Sequence, residues 1–227
     1  MPTPPDGPLS RSISLLQALD ELVREQVLQR GTRRSFASGT VLFMQDEPCA
    51  GVFIVISGLV KIARVSPEGR EQVLRYTSPG GSFNEVPVLD GGPNPATATA
   101  VEDSEVLVIS REAMQTLIAD TPGLAASMVQ ALAGRLRHLV ELVEDLSFRH
   151  VSERVVRVLL QAVTPHIGMG AGADVPRRFT QREIAEMAGT SREVVARALK
   201  AIEASGAITI ERGEIRVVAP EKLTELA

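Results

Sequence analysis

Residues 179–218 read FTQREIAEMAGTSREVVARALKAIEASGAITIERGEIRVV, and this stretch decides the fold. Thr180-Gln181-Arg182-Glu183 has the form of a capping box, in which the Thr hydroxyl takes an orphan helix N–H and the Glu reaches back to the cap N–H. The helix it opens carries Ile184, Ala185, Met187 and Ala188 and stops at Gly189. Thr190-Ser191-Arg192-Glu193 follows at once as a second box and predicts a helix over 190–203. Two helices joined by a tight Gly-containing turn make a helix-turn-helix. Residues 207–210 and 215–218 then read as two strands around Glu211-Arg212-Gly213-Glu214, a hairpin that completes a winged helix.

At about 100° per residue, Val194, Val195, Ala198, Leu199 and Ile202 share one arc of the second helix, and Arg192, Glu193, Ala196, Arg197 and Lys200 share the opposite one. The exposed arc thus begins with two arginines and a glutamate around a small alanine. A recognition helix needs this pattern, because residues near its N-terminus must reach base edges and a small residue lets it approach the groove floor. Arginine can bond guanine O6 and N7 together, and glutamate can accept from cytosine N4. A solvated helix with a Glu193–Arg197 surface pair would carry the same residues. The hairpin immediately behind it, with Arg212 at the tip where a phosphate would lie, favours double-stranded DNA as the partner.

Upstream, Pro122 opens a long helix to about residue 146. Ala125, Val129, Leu132, Leu136, Leu139, Val143 and Leu146 follow a 4–3 spacing along it, a heptad seam that would pair it with a second copy of the chain. A second stripe, Leu124, Met128, Ala131 and Leu142, would face its own domain. Residues 151–164 carry a further helical pattern ending at Thr164-Pro165, and 168–172 read as a loop. Between 36 and 109 the texture changes to short β-branched runs at 41–43, 52–56, 60–65, 72–76, 98–100 and 106–109, broken by Gly, Pro, Asp and Glu. Such runs predict a small barrel or sandwich, with a hairpin turn at Ser66-Pro67-Glu68-Gly69. Residues 13–29 read as a short helix in front of it. The fold class is α+β, with a sensing domain at 1–121, a dimerisation helix at 122–148 and a DNA-binding domain at 149–227.

The net charge of −4 hides an asymmetry: residues 1–147 hold 12 Lys/Arg and 18 Asp/Glu, whereas 148–227 hold 12 and 10. Cys49, alone of its type, cannot form an internal disulfide and excludes an iron–sulfur cluster held by this chain's cysteines. This usage, the absence of a signal-like N-terminus and of any apolar run near membrane-spanning length predict a cytoplasmic protein with no membrane partner. His138, His150 and His166 show no metal-ligand spacing, and no G-x-S-x-G, P-loop or H-E-x-x-H occurs, so neither a metal site nor a catalytic site is expected.

Thr180–Ala185, Gly189–Arg197 and Pro79-Gly80-Gly81-Ser82-Phe83-Asn84-Glu85 together resemble the catabolite activator and fumarate–nitrate regulator (Crp/Fnr) family, over about residues 13–220. The resemblance implies a β-roll sensing domain and a homodimer that works with RNA polymerase. It places the family's Arg-Glu-x-x-x-Arg recognition triplet on Arg192, Glu193 and Arg197, with TGTGA-like half-sites. It also implies phosphate contacts from Thr180, Arg182, Ser191 and Lys200. The implied effector pocket comprises Phe83, Asn84, Glu85, Pro95, Ala96, Leu139 and Val140, and here the chain departs from the pattern. Asn84 replaces the usual Gly, Pro95-Ala96 stand where Arg-Ser would clamp a cyclic phosphate, and Leu139-Val140 replace a Thr-Ser pair. A buried phosphate without a cation is expensive, which argues against cyclic AMP and leaves an apolar or uncharged ligand, or action with no ligand at all. Haem remains open through His138 on the long helix, although a lone helical His is more often a packing residue. A regulatory subunit using its C-terminal helices for protein contact is the competing reading, and DNA retention that weakens with salt separates the two.

Overall fold

The computed structural model describes residues 13–16, 19–161, 163, 179–211 and 213–226. Arg212, His166 and the 168–172 loop lie outside the described residues. The chain forms two units: Met1–Arg64, Arg75–Leu136 and Gly168–Ala173 in the first, and Val65–Leu74, Arg137–Ile167 and Asp174–Ala227 in the second.

The expected 13–29 helix is two pieces, a 3-10 turn at Ser14–Leu16 and helix α1 at Glu21–Gln29. Asp20, extended at ψ 154, separates them, and Ile13, Leu15, Leu16 and Leu19 bury into the core from the first piece. The strands follow as β1 (Thr32–Phe36), β2 (Val41–Phe43), β3 (Val52–Ser57), β4 (Val60–Val65), β5 (Glu71–Thr77) and β6 (Ser82–Phe83). A short helix α2 (Glu85–Asp90), then β7 (Thr97–Ala100) and β8 (Ser104–Ile109), complete the set. They make two antiparallel four-stranded sheets, β1-β8-β3-β6 and β2-β7-β4-β5. Strand β3 is buried over five consecutive residues because both its faces are covered: Val52 and Ile54 join the core with the helices, and Phe53 packs on the other side against Phe43 and Phe83. Gly51 enters it at φ 115, where a Cβ would stand 2.1 Å from the Ile109 carbonyl oxygen, so no other residue fits.

Phe43, Phe53 and Phe83 tie the two sheets together: the Phe53 ring lies 5.1 Å from Phe43 and 5.1 Å from Phe83, stacked on the latter. Each ring contributes roughly 1.5–3 kcal/mol by leaving water. The hairpin turn at 66–69 is as read from the sequence, closed by Gly69 N–H donating to the Ser66 carbonyl at 2.9 Å. Helix α3 (Arg111–Asp120), capped by the Ser110 hydroxyl, leads to the long helix α4 (Pro122–Phe148). Leu124 and Met128 on α4 belong to the core of the first unit, and Ala131 packs against it. The opposite stripe is open, with Val129 65%, Leu136 63%, Leu139 40%, Val143 62% and Leu146 39% exposed.

The second unit has its own core. Helix α5 (Val151–Gln161) contributes Val155, Val156, Val158 and Leu159, which meet Ile184 and Ala185 of α6 (Gln181–Ala188) and Val195, Leu199 and Ile202 of α7 (Arg192–Ala204). Strand β9 (Phe179–Thr180), the hairpin β10 (Ile208–Glu211) and β11 (Glu214–Val217), and α8 (Pro220–Thr224) complete it. The β10–β11 hairpin is shifted one residue from its sequence-based bounds, with β11 also pairing with β9.

Candidate functional site

The first capping box forms as expected. The Thr180 hydroxyl accepts from the Glu183 N–H at 3.2 Å while the Glu183 carboxylate accepts from the Thr180 N–H at 2.7 Å, an arrangement that stabilises a helix by about 1 kcal/mol. The second box does not form. The N-cap of α7 is Ser191, with no side-chain cap bond. Thr190 instead finishes the preceding helix, its N–H donating to the Ala185 carbonyl at 3.1 Å. Gly189, at φ 61, makes that turn, and a Cβ there would stand 2.6 Å from Leu146 Cδ2.

The turn is fixed from α5 as well. Arg154 donates to the carbonyls of Ala188 at 2.8 Å, Arg149 at 3.0 Å and Gly189 at 3.4 Å. Asp145 binds Arg149 at 2.8 Å and Arg157 at 3.2 Å, which joins the end of α4 to α5. The turn before α7 is thus held by polar contacts from α5, and α7 itself by Val195, Leu199 and Ile202 in the core.

Arg192, Glu193, Arg197 and Lys200 are all exposed on one side of α7, while Val195, Leu199 and Ile202 are buried on the other. Ala196 is half-buried between the two arginines in sequence. No ion pair joins Glu193 to Arg197 among the described residues. The Ser191 hydroxyl, the helix N-terminus and Arg192 hold the Glu193 carboxyl below the usual carboxylate range, which keeps it an acceptor. Thr180 and Ser191 are exposed beside this face in the sequence. Arg182, 78% exposed, is bonded to Glu186 at 2.7 Å.

The residues named for the effector pocket divide by role. Phe83 is packed in the aromatic cluster. Asn84 occupies the left-handed region at φ 67, where the family has Gly, and asparagine is among the few residues that tolerate it. Its amide donates to the Gly51 carbonyl and to Asn94 Oδ1, each at 3.0 Å. Ala96 is buried; Pro95 is exposed, and its carbonyl accepts from Arg64 at 2.7 Å. Leu139 and Val140 are exposed on α4, in the second unit. His138 Nε2 is bonded to the Leu74 carbonyl at 3.0 Å, a packing role.

Glu85, 1% exposed, has both carboxylate oxygens held by Arg135 of α4. Burial works to raise its carboxyl, but Arg135, with Arg75 and Ser82 adding, outweighs burial and holds it below the usual range. Arg75 on β5 stands in the same cluster, donating to Thr77 Oγ1 at 3.0 Å and to the Ser82 carbonyl at 2.9 Å. Two guanidiniums, Arg75 and Arg135, thus adjoin Glu85, at positions other than Pro95 and Ala96. Both were within reach of the sequence. Arg75 shares its strand face with Val73 and Thr77, both buried. Arg135 continues the inward stripe 124, 128, 131 of the long helix, which then runs on through 138 to 142.

Residues 33–121 match the family model of the cyclic nucleotide-binding domain, and residues 153–226 match that of the Crp-like helix-turn-helix domain. A CRP-like cAMP-activated global transcriptional regulator of Mycobacterium tuberculosis is 35% identical over 193 residues, covering 85% of this chain and 86% of that protein. The cyclic AMP receptor protein of Thermus thermophilus is 34% identical over 195 residues, covering 86% and 88%. Among solved structures, the catabolite activator protein of Thermus thermophilus superposes with a TM-score of 0.55 at 32% identity, covering 94% of this chain and 98% of that one. The c-di-GMP responsive global regulator CLP of Xanthomonas campestris gives a TM-score of 0.75 at 25% identity, covering 87% and 99%. A β-roll, a long helix and a winged helix-turn-helix, with these matches over both domains, identify the chain as a DNA-binding transcription regulator of the Crp/Fnr family.

Proposed function

We propose that the protein acts as a homodimer on an inverted repeat of TGTGA-like half-sites, with Arg192, Glu193 and Arg197 reading base edges and Thr180, Arg182, Ser191, Lys200 and Arg212 lying near phosphates. The observation that carries this reading is the exposed triplet on the N-terminal half of α7, opposite the buried Val195, Leu199 and Ile202. The apolar stripe from Val129 through Leu132 to Leu146, left open along α4, supports two-fold association. Two recognition helices on a two-fold axis require half-sites about one helical turn, ~34 Å, apart. Selection from random DNA is the test. A palindromic winner with that spacing is expected, and a non-palindromic winner overturns the reading. RNA polymerase is the protein partner in this proposal, and the compartment is the cytoplasm, where the DNA lies. No helix among the described residues is long and apolar enough to cross a membrane.

The effector, on the same reading, is not cyclic AMP. Pro95 and Ala96 offer no side-chain donor to a cyclic phosphate, and both Glu85 oxygens are already held by Arg135. The fold does not itself name an effector: the Mycobacterium relative is called cAMP-activated and the Xanthomonas one c-di-GMP responsive. Calorimetry with millimolar cyclic AMP is expected to show no saturable binding. Micromolar affinity would reverse this conclusion. A haem-bound form would show a Soret band in the purified protein; none is expected, because His138 Nε2 is bonded within the fold.

A further inference from the structure

The glycine between α6 and α7 is used by two further elements of the second unit. A Cβ on Gly189 would stand 2.6 Å from Leu146 Cδ2, near the end of α4, and 2.7 Å from Gln72 Oε1, on β5. The Gln72 amide is fixed there by its own bonds, donating to the Val73 carbonyl at 3.0 Å and to the Met187 carbonyl at 3.3 Å. Met187 lies in the last turn of α6, whose carbonyls have no partner within the helix. Glu71, beside Gln72, adds to Glu186 in stabilising the charge of Arg182 at the other end of α6. Residues 65–74, the end of α4 and the winged helix all belong to this one unit.

The core around Val195, Leu199 and Ile202 fixes α7 against α5 and α6, and no described residue of α4 or β5 is part of it. The angle between the winged helix and α4 is therefore left to the contacts around the turn. We propose that Gln72 is a positioning residue that sets which half-site spacing the protein accepts: seated against Gly189 and bonded to the Met187 carbonyl, it fixes the angle at which the winged helix leaves α4. This rests on the two-fold dimer and inverted repeat proposed above, in which that angle places both recognition helices. Gln72 is not among the residues proposed to touch DNA, so it acts on spacing and not on which bases are read.

Inverted repeats of one selected half-site, with the spacer at its selected length and changed by one or two base pairs, are titrated with full-length protein. Each added base pair turns one half-site by about 35° and moves it ~3.4 Å along the axis. The parent should bind the off-length sites more weakly than the selected one. Gln72→Ala should shrink that penalty about fivefold, what one neutral hydrogen bond is worth, with base preference inside the half-site unchanged. Gly189→Asn keeps a residue that tolerates the left-handed turn but drives a side chain into Gln72 and Leu146. It should shift the accepted spacing, and adding Gln72→Ala should reverse part of the shift. Circular dichroism confirms that each variant is folded. Equal spacing penalties in Gln72→Ala and its parent overturn the proposal, as does altered base preference with spacing unchanged. A parent that binds one half-site as tightly as the inverted repeat would remove the dimeric reading, and the proposal with it.

Discussion

Replacing Arg192 or Arg197 with alanine should cost about 1–3 kcal/mol of cognate binding per half-site, and a two-fold complex feels the loss twice. At a mid-range total of ~4 kcal/mol that is on the order of a thousand-fold in affinity. The magnitude follows from exposure: both side chains lie on the exposed face of α7. Each variant should also relax preference at one position of the half-site, because a bidentate arginine–guanine contact disappears. Lys200→Ala should behave differently, weakening all sequences about equally and lowering the salt slope by about one. Titration of the selected site with each variant, at several salt concentrations, separates these patterns. Wild-type affinity and unchanged preference in both arginine variants would return the triplet to an ordinary solvated helix face.

Leu136→Glu combined with Leu139→Glu should leave the protein monomeric at concentrations where the parent is a dimer. A charge in a closed helix seam costs several kcal/mol unless paired, and two-fold symmetry places four carboxylates there. The substitutions leave the monomer core alone, because Leu136 and Leu139 are 63% and 40% exposed in the single chain, whereas Leu124 and Met128 hold α4 to its own core. Sedimentation velocity supplies the mass and circular dichroism confirms the fold. A folded monomer should also lose cooperative occupancy of the inverted repeat, retaining one triplet and the phosphate contacts of one half-site. A variant that still sediments as a dimer would take the seam assignment away.

Local signals with a short range were readable before any coordinates. The Thr180–Glu183 box, the Gly189 stop and the alternation of apolar arcs on α7 each depend on residues within one or two turns, and each appears in the structure. The β-branched runs likewise locate six strands within two residues. What escaped depended on distant partners. Strand β1, Thr-Arg-Arg-Ser-Phe, is a polar edge strand that exists because β8 pairs with it and Glu105 meets Arg33 at 3.0 Å. The helix over 13–29 breaks because its front residues bury separately. Thr190 has the letters of a cap but is used by the turn before it. Arg75 and Arg135 belong to no local motif, although their periodicity points inward. Periodicity was the better guide there, since a strand face and a helix stripe record burial regardless of whether the side chain is charged.

Arg154 has a consequence for motion. One guanidinium satisfies carbonyls at the α4–α5 junction and at the end of α6, groups that helix termini otherwise leave to water. Those segments cannot open singly without stranding the same side chain, so they form a single cooperative breathing unit. Amide hydrogen exchange should therefore give the first turn of α5 and the residues around Gly189 one shared opening free energy. A residue that is not among those proposed to touch DNA thus couples the motion of α5 to that of the turn before α7.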